Sequence, residues 1–410
     1  MIDSNKFSSF AISIVQTLQE NNFEAYLVGG CIRDALTNIT PKDFDIATNA
    51  TPEEVRKLFK ASRIIGKRFK LVHVFNRSEL IEVATFRAGK IKNNSDSLIK
   101  DDNGKILRDN TWGTIQQDCH RRDFTVNALY YCPISKKIQD FHAGLKHINK
   151  KILVSIGDPQ GRFEEDPVRA LRAVRFSSKL DFKIDNKVKD AIYDKGYLLS
   201  SVSNARLFDE FCKIFLNGHA EKNFNKLDSF GLAKYLISTD HTYSNFSKEV
   251  ISQALKNTDK RIKNKQSITP GFLMAALLWP KLIQKCSKNN ELNIRKFFRS
   301  MDGILRDQHQ LTAIPRKFQS YIKDIWVLQL KLDSRLGKYP HKLVKHPRFR
   351  AAYDFLLIRE SAANEDYQIG DWWTKFQKQN YDERETALTK LRNQRDNESD
   401  KKFGFLGELI

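Results

Sequence analysis

Asp43 and Asp45 stand one residue apart in Asp43-Phe44-Asp45-Ile46-Ala47-Thr48, a stretch that alternates polar and apolar side chains. That alternation predicts a half-buried strand over 43–48, on which residues two apart face the same side. Two carboxylates held so close repel unless one is protonated or a cation lies between them. Hard oxygen donors that leave room for water and substrate phosphates suit Mg²⁺, with Mn²⁺ as a second candidate. Taken alone, the pair is better explained as solvated acids at the start of a strand. The segment upstream changes the balance. Gly29-Gly30 lies between an apolar strand, Ala25 to Val28, and a helix start, Cys31 to Leu36. Bare backbone N–H groups there can approach a phosphate. Arg33, one turn into that helix, could hold a triphosphate oxygen. Strand, Gly-Gly, helix with arginine, then a strand with paired aspartates supply the parts needed to hold a nucleoside triphosphate and its metal ions.

The elements that must position these residues read as a small α/β head. Phe7, Phe10, Ala11, Ile14, Val15 and Leu18 recur at helical spacing and predict an amphipathic opening helix. Thr51-Pro52-Glu53-Glu54 sets a cap residue before a proline at the first helical position, so Pro52 to Phe59 is expected to be helical. Leu71 to Phe75 and Leu80 to Phe86 read as two strands paired around Asn76-Arg77-Ser78. Between Ala88 and Asn110 the sequence turns polar and reads as a mobile loop. Beyond about residue 150 strand signals nearly vanish, and Asp166 to Leu180, Asn204 to Leu216 and Phe246 to Leu255 keep helical periodicity. The expected class is α+β: a small mixed sheet with helices, followed by an all-α body. No repeat of fixed period is evident.

The chain has 410 residues, too many for one compact core, and its 70 Lys and Arg against 49 Asp and Glu give a net charge of +21. Such an excess concentrates polyanions and releases counterions when phosphates are contacted. Lysines that merely solvate the surface, or a basic membrane-surface protein, are the competing explanations. Five scattered cysteines without a Cys-x-x-Cys or Cys/His pairing argue against a disulfide framework and a structural zinc site, and fit a reducing cytoplasm. Met1 to Ser9 lacks a leader pattern, and the apolar run Phe272 to Trp279 is too short to span a bilayer.

Four segments in order then carry a resemblance: Leu27-Val28-Gly29-Gly30-Cys31-Ile32-Arg33-Asp34, Lys42-Asp43-Phe44-Asp45, Arg121-Arg122-Asp123-Phe124-Thr125-Val126-Asn127-Ala128, and Glu165-Asp166-Pro167-Val168-Arg169-Ala170-Leu171-Arg172. Together they resemble the class II nucleotidyltransferases, the group of the bacterial poly(A) polymerases and the CCA-adding enzymes. The resemblance continues through Gln253 to Arg261, Phe272 to Trp279 and His346 to Arg359, and so covers most of the chain. It implies that Asp43 and Asp45 bind the catalytic metal ions, and that a third carboxylate, for which Glu82 is the candidate, completes the site. A surface residue on an edge strand is the alternative for Glu82. It implies further that Gly29, Gly30, Arg33 and Arg122 hold the triphosphate. Asp166 and Arg169, three apart on one helix face, would read the incoming base, with an ordinary salt bridge as the alternative. The implied reaction is template-independent transfer of AMP from ATP to RNA 3′ ends, on mRNA and small RNAs, with release of pyrophosphate and a role in RNA decay.

Within the group, Ile65 to Val74, Leu107-Arg108-Asp109-Asn110 and His346 to Asp354 resemble the polymerases more than the CCA-adding enzymes. A catalytically silent RNA-binding protein with this fold is the reading from another class, and Gln116-Gln117, where an acid is expected, is its one supporting feature. The implied domains are a catalytic head (1–150), a base-reading neck (151–220), a body (221–335) and a C-terminal RNA-binding region (336–410). The basic stretches Lys256 to Lys265 and Arg335 to Arg350 are expected to meet RNA backbone, with Tyr339 and Phe349 placed to stack on bases or to pack in the core. A monomer that works with RNA-decay or RNA-chaperone proteins is expected, and the terminus Lys401 to Ile410 could dock on a partner or on the chain itself.

Overall fold

The computed structural model describes residues 6–66, 70–77, 79–88, 98–100, 106–109, 112–238, 244–288, 291–335, 338–363 and 368–397. It resolves into two compact units, Met1–Lys195 and Gly196–Ile410. Unit 1 opens with α1 (Ser9–Glu20), β1 (Ala25–Val28), α2 (Gly30–Leu36), β2 (Asp45–Thr48), α3 (Pro52–Leu58), β3 (Ser62–Ile65), β4 (Leu71–Phe75) and β5 (Leu80–Thr85). It continues with β6 (Leu98–Lys100), β7 (Ile106–Asp109), α4 (Ile115–Arg121), β8 (Leu129–Cys132), β9 (Lys137–Asp140), α5 (Gly144–Asn149) and β10 (Ile152–Leu153). The unit closes with α6 (Pro159–Glu165), α7 (Val168–Leu180), β11 (Lys183–Ile184) and α8 (Asn186–Lys195).

Seven strands form one mixed sheet in the order β3-β4-β5-β2-β1-β8-β9. The β2–β5 pairing is parallel and its other pairings are antiparallel. The opening helix buries Ala11, Ile14, Val15 and Leu18, the stripe its spacing requires, and Ser8 accepts the Ala11 N–H at its start. At α3 the Thr51 hydroxyl accepts from Glu54 N while the Glu54 carboxylate accepts from Thr51 N, with Pro52 in the first turn. β4 and β5 pair antiparallel from Val72↔Val83 to Phe75↔Leu80, as the two apolar runs suggest. Most of the polar stretch read as a mobile loop lies outside the described residues; within it, β6 and β7 pair antiparallel.

Unit 2 is built from α9 (Asn204–Phe215), α10 (Ala220–Ser229), α11 (Asn245–Lys263), α12 (Pro270–Cys286), a two-residue pair β12 (Ser287–Lys288) and β13 (Glu291–Leu292), α13 (Ile294–Leu311), α14 (Arg316–Ser334), α15 (Tyr339–Val344), α16 (Phe349–Ala363), α17 (Ile369–Phe376) and α18 (Tyr381–Asn397). Its centre is α12, buried from Leu273 through Leu282 on nearly every face. The helix runs past Pro280 to Cys286 although the apolar run ends at Trp279. A second cluster joins Leu328, Leu332, Phe349, Leu356, Trp373 and Phe376. Phe349, one of the two aromatics expected to stack or pack, therefore packs, whereas Tyr339 is 61% exposed. All five cysteines are free; four are buried and Cys212 is partly so. No helix among the described residues is long and apolar enough to cross a membrane. The terminus 401–410 lies outside the described residues.

Candidate active site

The sheet register assembles the acids. Val28 is opposite Asp45 across the β1–β2 pair, so the Gly29-Gly30 turn that leaves β1 starts beside Asp45. Asp45 is in turn paired with Glu82 across the parallel β2–β5 pair, and directly paired residues project from one face of a sheet. Because β5 lies between β4 and β2, Glu82 is on an interior strand and the edge-strand alternative does not apply. The strand begins at Asp45, which leaves Asp43 in the extended segment before it. Asp45 is open to solvent on a strand otherwise buried. Crowding by the surrounding protein, the Glu82 carboxylate and Asp43 push its carboxyl up to about 6, against the pull of Arg122. The Glu82 carboxylate is 3.4 Å from His73 Nε2.

The turn itself needs glycine. Gly29 has φ of +76°, which disfavours side chains, and a Cβ there would come within 3.2 Å of Arg122 Nη1. Its N–H donates to Leu129 O, tying the turn to β8.

Arg122 follows α4 and is held from three sides. Nε donates to the Tyr130 hydroxyl at 3.0 Å, Nη2 to Asp118 Oδ2 at 3.1 Å, and Nη1 to Asn127 O at 3.5 Å. Tyr130 also donates to Asp118 Oδ2 at 2.7 Å. Burial opposes the charge, but Tyr130 and Asp118 outweigh it and raise the guanidinium above its ordinary value. Asp118 thus braces an arginine. Gln117 closes a capping box with Thr114 at the start of α4, which accounts for an amide at that position.

Arg33 turns inward. Its side chain is 4% exposed, pairs with Asp34 at 2.6 Å, donates to Asn127 Oδ1 and lies over the Phe176 ring at 4.9 Å. A role at a phosphate requires those bonds to be exchanged. The partners form a ring that the sequence reading missed. Asn127 Nδ2 donates to Asp123 Oδ1 at 3.0 Å, Arg172 Nε to Asp123 Oδ2 at 2.7 Å, and Lys179 Nζ to Asp34 Oδ2 at 2.7 Å. Arg172 and Lys179 are seven apart on α7, so two turns of one helix close the ring with Phe176 between them. That spacing was the available signal. Burial alone would raise the Asp123 carboxyl, yet Arg172 and Asn127 hold it below the usual carboxylate range.

Asp166 and Arg169 do not share a helix face, because α7 starts at Val168. Asp166 is extended, φ −149° and ψ 93°, as a residue before proline tends to be, and its Oδ1 accepts the Val168 N–H at 3.2 Å. Arg169 is in the first turn, with Nη2 donating to Arg121 O at 3.1 Å and Nη1 to Arg162 O at 3.4 Å. Burial and neighbouring Arg162 lower its ordinary value. Arg162 itself donates to the His120, Arg121 and Arg122 carbonyls, closing the end of α4. The base-reading candidates are thus connected to Arg122 through one helix end.

The donor set suits a hydrated hard cation. Among the described residues no three His, Cys, Asp or Glu side chains converge as a self-contained metal cage. An open carboxylate pressed by two others, with oxygen as the donor, matches an ion that keeps waters and shares substrate phosphates.

Comparison with known proteins agrees with this geometry. Residues 25–154 match the family model described as the poly A polymerase head domain. Residues 181–239 match a probable RNA and SrmB-binding site of polymerase A, and residues 289–403 a polymerase A arginine-rich C-terminus. The chain is 40% identical to poly(A) polymerase I of Haemophilus influenzae, over 94% of this chain and 88% of that one. It is 38% identical to that of Salmonella typhi, over 95% and 87%. A CCA-adding enzyme of Pediococcus pentosaceus is 29% identical over 88% and 90%. Among solved structures, the Bacillus stearothermophilus CCA-adding enzyme in complex with CTP shares the fold, with a TM-score of 0.58, 24% identity and coverage of 94% and 82%.

Proposed function

We propose, from the premise that this chain belongs to the bacterial poly(A) polymerase family of nucleotidyltransferases, that it extends RNA 3′ ends with AMP taken from ATP, without a template. One observation carries the reading: an open acidic cluster, Asp43, Asp45 and Glu82, lies beside a side-chain-free turn at Gly29 and the anchored cation of Arg122. That arrangement supports a triphosphate between Arg122 and the turn, with its α-phosphate toward the acids. The RNA 3′ oxygen attacks that phosphorus, the bond to the β-phosphate oxygen breaks, and pyrophosphate departs with the bridging oxygen. The hydroxyl proton leaves toward the acid cluster. Asp43 and Asp45 would hold Mg²⁺ or Mn²⁺, which supplies Lewis-acid stabilisation of the charge on the phosphates. Arg122, kept charged by Asp118 and Tyr130, stabilises the same charge with its position already fixed. Asp166 and Arg169 select the base. The finer division into head, neck, body and C-terminal region, and a role in RNA decay, belong to this proposal.

A CCA-adding activity is the second reading, favoured by relatives at 29% identity along most of the chain. The higher identity to polymerases over nearly the full length supports the first. Labelled ATP, CTP, GTP and UTP, offered with Mg²⁺ on a generic single-stranded RNA and on a transfer RNA lacking its terminal CCA, separate them. Long ATP-dependent extension of the generic RNA is expected, and its loss in Asp45→Ala ties it to the acids. Addition of C, C and A to the transfer RNA alone would establish the second reading. RNA binding without incorporation would leave a silent member of the family.

A further inference from the structure

The helical unit contains a cavity of about 180 Å³ that sequence patterning does not show. It lies where the end of α11, the start of α12, the middle of α14 and the start of α16 meet, all within unit 2. The two basic stretches, far apart in the chain, both reach it: Arg261 from the first, Arg348 and Arg350 from the second. Asp354 stands between them. Its Oδ2 is 3.4 Å from Arg261 Nη1 and its Oδ1 is 3.0 Å from Arg350 Nε. Arg261 Nε also donates to Ser267 O at 3.1 Å, so this guanidinium is aimed by two partners. Three guanidiniums against a single carboxylate leave the cavity positive, and Arg350 stays 72% exposed at its rim.

The remaining wall is flat and aromatic. Arg348 spreads over the Tyr321 ring, 4.7 Å from its centroid. Tyr321 in turn lies close against Gly271, where a Cβ would come within 2.9 Å of its ring. Phe272 adds a second ring to the lining. A guanidinium layered on an aromatic ring is the planar cationic surface on which an unpaired base stacks, and neighbouring arginines neutralise its phosphate. An acidic peptide would use the charge and leave the stacked plane without a purpose. A base inside a duplex could not reach it.

We infer that this cavity is a nucleotide-binding subsite for single-stranded RNA, taking one splayed base against Arg348–Tyr321 and its phosphate between Arg261 and Arg350. The inference rests on the RNA-extending reading and adds to it a site separate from the acids. Arg348 and Arg350 are exposed, so Arg348→Gln combined with Arg350→Gln tests it without opening the core. Fluorescence anisotropy with a labelled RNA of about 15 nucleotides is the readout, long enough for one binding groove. Binding is expected to weaken about tenfold, and the slope of log affinity against log salt to become shallower by about 1.4, as for two lost phosphate contacts. The KM for ATP and the turnover at saturating RNA are expected to stay as in the parent. Lys375→Gln with Lys378→Gln removes equal charge from exposed positions on and just after α17, and is expected to change RNA binding far less. RNA carrying 5-iodouridine is expected to crosslink, under near-ultraviolet light, to the peptide that contains Tyr321. Parent-like RNA binding by the arginine variant, or an equal loss in the lysine variant, overturns the subsite while leaving the extending activity intact. Weakened ATP binding with unchanged RNA binding would assign the cavity to free mononucleotides and overturn it too. A parent that binds no RNA overturns both.

Discussion

At the scale of single residues, the charge on Asp45 connects stability to chemistry. Its carboxyl titrates at about 6 in the folded chain, above the ordinary value of 3.8, so the folded state holds that proton more tightly than the unfolded state does. Between those values stability falls as pH rises, and above about 6 the full penalty of the ionised group persists. In metal-free protein at pH 8, Asp45→Asn is therefore expected to raise the melting temperature. The same change is expected to lower incorporation about a thousandfold or more, because several kcal/mol of charge stabilisation goes with the cation. A melting temperature lower than the parent's would show that the carboxylate is not under this repulsion. Arg169 gives the second residue-scale expectation. With Arg169→Ala, preference for ATP over CTP is expected to fall about tenfold, or ~1.4 kcal/mol, in side-by-side incorporation assays. Unchanged preference would leave Arg169 as a brace for the Arg121 carbonyl.

At the scale of elements, the polar ring around Phe176 joins α2, the Asp123–Asn127 segment and α7. Asp123 is buried and accepts from Phe124 N, Asn127 and Arg172, so Asp123→Ala is expected to cost about 3 kcal/mol of unfolding free energy in urea titrations. Combined with Arg172→Ala, the loss is expected to fall well short of the sum of the two single changes, since both remove the same pair. Additive losses would dissolve the ring into separate contacts. The elements also show where local sequence suffices. β1, α3, β4 and β5 follow from apolar runs and a capping box that act within a few residues. β8 escaped because Leu129-Tyr130-Tyr131-Cys132 is buried on both faces and continues a motif with no alternation to betray it. The four-residue strands β3 and β9 are too short to assert a period. The acids and the glycine turn were legible because their chemistry is local. The inward turn of Arg33 was not, since Asn127 and Phe176 are distant in sequence. Asp166 was misplaced onto a helix face because the bias imposed by Pro167 was outweighed by the helical pattern that follows it.

At the scale of the whole molecule, a net charge of +21 predicts binding governed by ionic strength. If about six phosphates are contacted, the slope of log affinity against log salt is expected near −4, measured between about 50 and about 200 mM salt. A slope near zero would mean that the lysines only solvate the surface. The thiols offer a different view of the same molecule. Cys31, Cys119 and Cys132 are buried in the first unit, with Cys286 buried and Cys212 partly covered in the second. Burial, with Asp45 nearby, pushes the Cys31 thiol up to about 12, so it carries almost no thiolate at neutral pH. Alkylating reagents should therefore pass over most of these sulfurs in the native chain and modify them as each unit opens. Every molecule thus has built-in clocks on both sides of its division, and the order in which its cysteines are consumed would record which half breathes first.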